Sequence, residues 1–438
     1  MREIVVLGAG YAGMAAATSL AGRTKKRDDV RITVVNASER FTERLRLHQV
    51  ASGQQLADLR LTDLLKPIGV RLVTGWITGM DAAARTVRID DERDLPYDTL
   101  VYALGAVADT TAVPGAEANA ATLDSAADAE LFARRLSTLA TDPAAATDPA
   151  AATDPAAVAA PGAAAGPYAA GPRVTGPRVT GPLVTAPRPV GPGRATVAVC
   201  GSGLTGVEAA AEIAEQYPSL RVVLIGRSEP GATFAPKAKS YLDGALRRLG
   251  VEVRPGVEIA AIEPDAVRLA DGETISADAV LWTSGVRVSP LPAKAGLDVD
   301  DRGRIVTDST LRSISHPEIY AVGDAAAIRQ GYGVMHGTCQ SGMPTGAHTA
   351  ASIARELDGK APEPFRFGYY HAPISLGRND GIVQFTHPND TPRSLCLTGR
   401  RARWYKETVT SSPWSTFGRM TTSPGMTAIW PRGGRYTR

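Results

Sequence analysis

At 438 residues the chain has room for two or three domains at about 150 residues each. A hydrophobic share of 44% and a charged share of 21% give it globular composition, and a net charge of +3 over that length excludes a dedicated nucleic-acid binder. No apolar run is long enough to span a bilayer, and the strand-like run that opens at Glu3 leaves no room for a signal peptide. Cys200, Cys339 and Cys396 lie far apart without a CxxC, so neither a disulfide framework nor a metal centre is expected. A cytoplasmic, reducing location follows from these bounds.

In chain order, Glu3–Leu7 is a β-branched apolar run followed by Gly8-Ala9-Gly10-Tyr11-Ala12-Gly13 and the helix formers Met14–Thr18. A second apolar run, Val30–Val35, ends at Asn36. Strand, GxGxxG, helix and strand within this span is the context a dinucleotide fingerprint requires. Gly8 makes the tight turn, Gly10 lets the backbone approach a pyrophosphate, and Gly13 lets helix and strand pack closely. The helix start at Tyr11 and Ala12 then offers free N–H groups to the phosphates.

Residues 137–193 repeat short Pro- and Ala-rich units, such as Thr141-Asp-Pro-Ala-Ala-Ala146 and Gly171-Pro-Arg-Val-Thr175. Units this short are not solenoid repeats, and they offer too little apolar area to offset chain entropy, so a disordered linker is expected. Beyond it the same grammar returns. Thr196–Cys200 is a strand, Gly201-Ser202-Gly203-Leu204-Thr205-Gly206 the turn, Val207-Glu208 the opening of a helix, and Arg221–Ile225 the next strand. Two fingerprints in one chain imply two dinucleotides that meet. Ile319–Gly323-Asp324 adds a strand ending in an acid able to accept from a sugar or ribityl hydroxyl.

The order of these motifs, with Thr99–Gly105 between the first and second, resembles the flavoprotein oxidoreductases with two dinucleotide-binding folds. The chain is most similar to their type II NADH dehydrogenase-like branch. Pro364–Phe367, Ser375–Arg378 and Gly381–Phe385 resemble that branch's C-terminal strands. The resemblance implies an α/β fold with two Rossmann-like domains. An FAD-binding domain (1–115 and 286–362) would be interrupted by the linker and an NAD(P)-binding domain (194–285). A small α+β region (363–438) with a basic, Trp-containing tail would follow.

It further implies that hydride passes from NAD(P)H to FAD and that electrons then go to a quinone or similar small acceptor. FAD would meet the first turn, Ile77, Ala103, Gly105, Gly323 and Asp324. NAD(P)H would meet Gly201, Gly203, Thr205, Gly206 and Gly285. Asn36 replaces the usual ribose-binding acid, with Glu39 as its substitute. No cysteine pair lies between Gly13 and Leu104, which removes dithiol relay chemistry. Gly226-Arg227-Ser228 ends the second fold's second strand without an acid, and Arg227 suits a 2′-phosphate.

Several assignments have two readings. Gln340 matches a glutamine of the branch's quinone helix, but Pro344 stands where another glutamine is expected, and a proline there would kink or restart the helix. His48 is a proton donor or a packed histidine. Glu208 faces the nicotinamide or caps and solvates a helix. Cys339 is a packed thiol near the flavin. The tail either meets an anionic membrane, or is disordered or packs on the flavin domain, and its prolines and glycines argue against a long amphipathic helix. A homodimer is left open. The competing functions are a redox-sensing flavoprotein and a reductase of a small electron-carrier protein.

Overall fold

The computed structural model describes residues 1–141, 194–425 and 430–437. Two parallel sheets organise it. In the first, the strand order is Ile319–Ala321, Thr99–Tyr102, Arg2–Leu7, Val30–Asn36 and Arg71–Thr74. In the second it is Glu252–Pro255, Arg221–Gly226, Thr196–Cys200 and Ala279–Trp282. Parallel strands covered on both faces need continuous apolar runs rather than alternation. Accordingly Ile4–Leu7 and Thr196–Cys200 are buried without a break.

Each sheet carries a three-stranded antiparallel meander, residues 77–96 on the first and 259–276 on the second. Val107–Ala108 pairs antiparallel with Val286–Arg287, so the chain leaves the first fold and returns to it along one short ribbon. A last antiparallel sheet, formed by His371–Ser375, Gly381–Thr386 and Pro392–Thr398, packs with the helix Gly399–Thr422.

Three sequence expectations are corrected. The helix Ala126–Thr141 takes in residues 137–141, which were assigned to the linker, because Phe132, Leu136 and Leu139 recur at helical spacing and are buried. The linker expectation for 142–193 lies outside the described residues.

Pro344 neither breaks nor restarts its helix, which runs from Cys339 to Leu357. That helix lies against Tyr11–Thr24, and a Cβ at Gly346 would collide with the Ala12 carbonyl oxygen. Close packing holds the backbone that the proline leaves short of one hydrogen bond.

The tail does form a long helix, Gly399–Thr422, with Pro413 inside it. Its inner face is Ala402, Lys406, Thr410, Pro413, Phe417 and Met420, spaced by three or four residues and buried. Lys406 and Thr410 on that face hide the pattern from a hydropathy reading. Met420 reaches the first helix, where the Thr18 hydroxyl lies 3.8 Å from its sulfur, so the tail packs on the first fold. Among the described residues no helix is long and apolar enough to cross a membrane.

Candidate functional site

Both Gly-rich turns are built to expose backbone. Gly8 has φ +93°, and a Cβ there would stand 2.6 Å from the Ala103 carbonyl oxygen. A Cβ at Gly13 would collide with the Gly8 carbonyl oxygen, and one at Gly206 with that of Gly201. Gly10 and Gly203 are the helix N-caps, neither with a side-chain cap, and a Cβ on either would meet nothing within 4 Å. Each helix therefore presents unspent N–H groups and its positive dipole end to open space.

One cavity of about 1170 Å³ runs along the first turn. Gly8, Gly10, Tyr11, Ala12, Asn36, Ile77, Ala103, Gly105, Gly323 and Asp324 line it, together with Thr205, Glu208 and Gln340. Asn36 Oδ1 accepts from the Ala9 N–H at 2.9 Å, and its Nδ2 donates to the Ser38 carbonyl at 2.8 Å. Its amide thus tethers the turn as well as facing the cavity. Glu39 is exposed and does not line it, which removes it as a substitute for Asn36.

Asp324 lies in the tight turn Gly323–Ala325, and its carboxylate has no hydrogen bond among the described residues. Burial pushes its pKa up, while Arg44 and His336 draw it down. An acceptor left unspent in a cavity wall is what a polyhydroxyl chain requires. With the open Gly10 turn, it makes the site fit a long dinucleotide such as FAD.

Gly13, Gly201, Gly203, Gly206, Gly285 and Arg227 lie outside the cavity wall. Gly285 has φ +75°, and its carbonyl accepts from the Asp109 N–H at 3.3 Å beside the returning ribbon. Arg227 is exposed, with no partner among the described residues.

His48 is the packed histidine. It is buried behind Glu208, with Nε2 3.2 Å from the Ser375 hydroxyl and Nδ1 3.9 Å from Glu208, and it does not reach the cavity. Burial lowers its pKa to about 4, against the pull of Glu208.

Glu208 is buried and is neither a cap nor solvated. Its Oε1 accepts from the Ser375 N–H at 2.8 Å and lies 2.9 Å from Lys406 Nζ. Burial alone would raise its pKa, but Lys406 and His48 bring it below the usual carboxylate range. Gln340 lines the cavity with both amide ends committed: Nε2 donates to the His371 carbonyl at 2.7 Å, and Oε1 accepts from the Tyr370 N–H at 3.2 Å. Cys339 lines the cavity too, its thiol pushed up to about 12 by burial and by Asp324.

Among the cavity residues that sequence reasoning missed are Arg44, Asp124, Trp76, His371 and Lys406. Arg44 reaches the Ala106 carbonyl at 2.8 Å and Asp124 at 3.2 Å. Trp76 flanks Ile77, while His371 and Lys406 face the C-terminal end. None belongs to a spaced motif. Lys406 is visible in the sequence only as one charge of a basic tail.

A model of the pyridine nucleotide-disulphide oxidoreductases matches residues 2–354. An NADH dehydrogenase-like protein of Mycobacterium tuberculosis is 29% identical over 427 residues, covering 93% of each chain. A type II NADH:quinone oxidoreductase of Staphylococcus epidermidis is 27% identical over 432 residues, covering 93% of this chain and 94% of the relative. Among solved structures, the sulfide:quinone oxidoreductase of Aquifex aeolicus superposes with a TM-score of 0.72 at 16% identity, covering 97% of this chain and 94% of that one. The NDH2 of Plasmodium falciparum in complex with NADH superposes with a TM-score of 0.71 at 14% identity, over the full length of both.

Proposed function

Because this chain belongs to the pyridine nucleotide-disulphide oxidoreductase family and is a flavin-dependent NADH dehydrogenase that uses FAD and NAD(P)H, we propose that a quinone or similar small molecule is its electron acceptor. One observation carries this reading. The cavity that passes Gly10 and Asp324 is also lined by residues of the Cys339–Leu357 and Gly399–Thr422 helices, and this part of it is the acceptor chamber of the reading. Met343, Val409, Pro413 and Trp430 supply apolar lining there, with Gln340, His371, Lys406, Thr410 and Thr416 as polar points. An apolar slot with few polar groups suits a quinone ring. The reading includes no redox disulfide: the first cysteine in the sequence is Cys200, in the buried first strand of the second fold.

When bound, FAD supplies the two-electron chemistry between NAD(P)H and the acceptor. The protein's own part is placement. The Gly8–Gly13 turn and the amides that open its helix would hold the pyrophosphate, and Asp324 would offer an acceptor to the ribityl hydroxyls. Thr205 and Glu208 line the cavity where the second fold meets it, which supports reading that end as the nicotinamide side. The Lys406–Glu208 pair keeps that wall electrically balanced, so a neutral ring enters without facing a bare charge. The acceptor chamber backs onto a helix whose outer face carries Arg400, Arg401, Arg403 and the exposed Trp404, a composition suited to peripheral contact with an anionic bilayer.

The test is NAD(P)H oxidation by the purified flavoprotein against short-chain quinones, ferricyanide and a carrier-protein panel. Steady quinone turnover supports the reading. A charge-transfer band without turnover would transfer support to the redox sensor, and turnover with a carrier protein alone would transfer it to the carrier reductase.

A further inference from the structure

Reducing a quinone to its hydroquinone takes two electrons and two protons, while NAD(P)H brings two electrons and only one proton as hydride. The second proton must come from water. A path for it has to end at a donor on the wall of the acceptor chamber and begin at the surface.

Lys406 and His371 are two ionisable donors among the residues that line the cavity. Lys406 Nζ is tied on two sides, 2.9 Å from Glu208 Oε1 and 3.2 Å from the Pro373 carbonyl. His371 is free on one side. Its Nδ1 lies 2.7 Å from the Tyr405 hydroxyl, while its Nε2 makes no hydrogen bond among the described residues. His371 lines the cavity, and the Gln340 amide fixes its backbone by donating to the His371 carbonyl.

Tyr405 leads the other way. It is half-buried on the Gly399–Thr422 helix between exposed Arg401, Trp404 and Thr408, and Phe385 meets its ring edge-on at 5.9 Å. Two polar side chains thus connect the outer face of that helix with the chamber.

We propose that Tyr405 and His371 form the proton-entry path of acceptor reduction, with His371 the donor to a quinone oxygen and Tyr405 its resupply; this rests on the quinone reading above. The step balances. The His371 Nε2–H bond breaks as an O–H bond forms on the quinone, and the Tyr405 O–H bond breaks as Nδ1–H forms. Tyr405 then takes its proton back from hydronium or a buffer acid, and water-assisted tautomerisation of the imidazole returns the proton from Nδ1 to Nε2, so one solvent proton is consumed per hydroquinone.

The environment suits a relay rather than a stored charge. Burial and the Lys406 cation lower the His371 pKa to about 4, which keeps the ring neutral. A neutral imidazole whose Nδ1 accepts from Tyr405 carries its one proton on Nε2, the ring nitrogen without a hydrogen bond among the described residues. The groups around it are Tyr405 and Lys406 from the 399–422 helix, Gln340 from the 339–357 helix and Tyr370 from its own segment, with Glu208 behind Lys406.

The experiment compares the oxidation of pre-reduced holoenzyme by a short-chain ubiquinone and by ferricyanide, which takes electrons without protons. A positioned proton donor contributes roughly a hundredfold or more to such a step, so His371→Gln should lower the ratio of quinone to ferricyanide rate by at least about tenfold. Tyr405→Phe, which keeps the ring packing, should lower kcat for quinone at an unchanged quinone KM. It should also reduce the solvent deuterium isotope effect seen in wild type.

Loss of both acceptors in equal proportion, or a rise in quinone KM alone in Tyr405→Phe, would overturn the relay. So would unchanged quinone rates in flavin-loaded variants. If His371→Gln fails to hold flavin, Tyr405→Phe decides alone. Wild type that reduces ferricyanide but no quinone overturns the acceptor assignment and the relay together, whereas quinone-competent wild type with unaffected variants overturns only the relay.

Discussion

Arg227 shows how much one residue at a strand end can decide. The strand Arg221–Gly226 stops against the second turn: a Cβ at Gly226 would collide with the Ser202 hydroxyl, which donates to the Ser228 carbonyl at 2.7 Å. The segment carrying Arg227 is therefore pinned beside the turn where a nicotinamide dinucleotide's ribose would lie. The nearest acid, Glu229, is 3.6 Å from Lys239, leaving Arg227 as the unpaired charge there among the described residues. A charge-assisted hydrogen bond to a 2′-phosphate contributes about 1.5–3 kcal/mol, roughly tenfold or more in affinity. NADPH should therefore serve at least as well as NADH, although the curated relatives are named for NADH. Arg227→Ala should raise KM for NADPH by about tenfold and leave KM for NADH within about twofold. Steady-state kinetics with both nucleotides checks this, and an equal effect on the two would show that Arg227 reads no phosphate.

Between elements, one close approach lies where the helix Tyr11–Thr24 meets the end of Gly399–Thr422. A Cβ at Gly22 would stand 2.6 Å from the Met420 carbonyl oxygen and 2.7 Å from that of Thr421, both of them backbone. Gly22→Val should cost about 1–3 kcal/mol through overpacking, seen as a Tm several degrees lower. Gly418→Ala on the same tail helix has room, with Leu64 Cδ1 at 3.9 Å, and should hold or raise Tm. Equal losses in the two variants would locate the weakness in the helix itself rather than in the crossing. This crossing also marks the limit of what the chain reveals locally. Both Gly-rich turns were legible because their glycines sit at fixed spacing between an apolar strand and a helix, and the collisions at Gly13 and Gly206 are local ones. The tail helix was not legible, because Lys406 and Thr410 count as buried only once partners such as Glu208 and Arg46, far away in sequence, are in place. For the same reason Gln340 was found by its motif, while His371 and Tyr405, each unremarkable alone, became a pair only when a strand met a helix.

Across the whole molecule, the helix Leu204–Gln216 joins all three parts, and Glu212 is where they meet. It lies one turn beyond Glu208, buried, with Gln54 Nε2 donating to Oε2 at 3.0 Å and Arg378 3.6 Å from Oε1. Oε1 itself is sealed from water without a hydrogen bond. Burial raises the pKa of Glu212 from 4.5 to about 7, against the pull of Arg378. In the folded chain it is therefore protonated over a range where the unfolded chain has ionised it. The unfolded state then binds fewer protons, so the Glu212 contribution is fully present below pH 4.5 and is lost as pH rises through about 7. His48 and His371 act in the opposite sense. Their folded pKa values of about 4 lie below the ordinary 6.5, so stability is lost as pH falls from 6.5 to 4. Glu212→Gln keeps the size and an acceptor for Gln54 but removes the titration. The stability of the variant relative to wild type should therefore climb with pH by about 1.4 kcal/mol per unit between pH 4.5 and 7, and level off above. Urea unfolding of both proteins across that range, followed by tryptophan fluorescence, measures the difference directly. A difference that stays constant with pH would mean that Glu212 is ionised in the fold, with Arg378 rather than a proton balancing it at the junction.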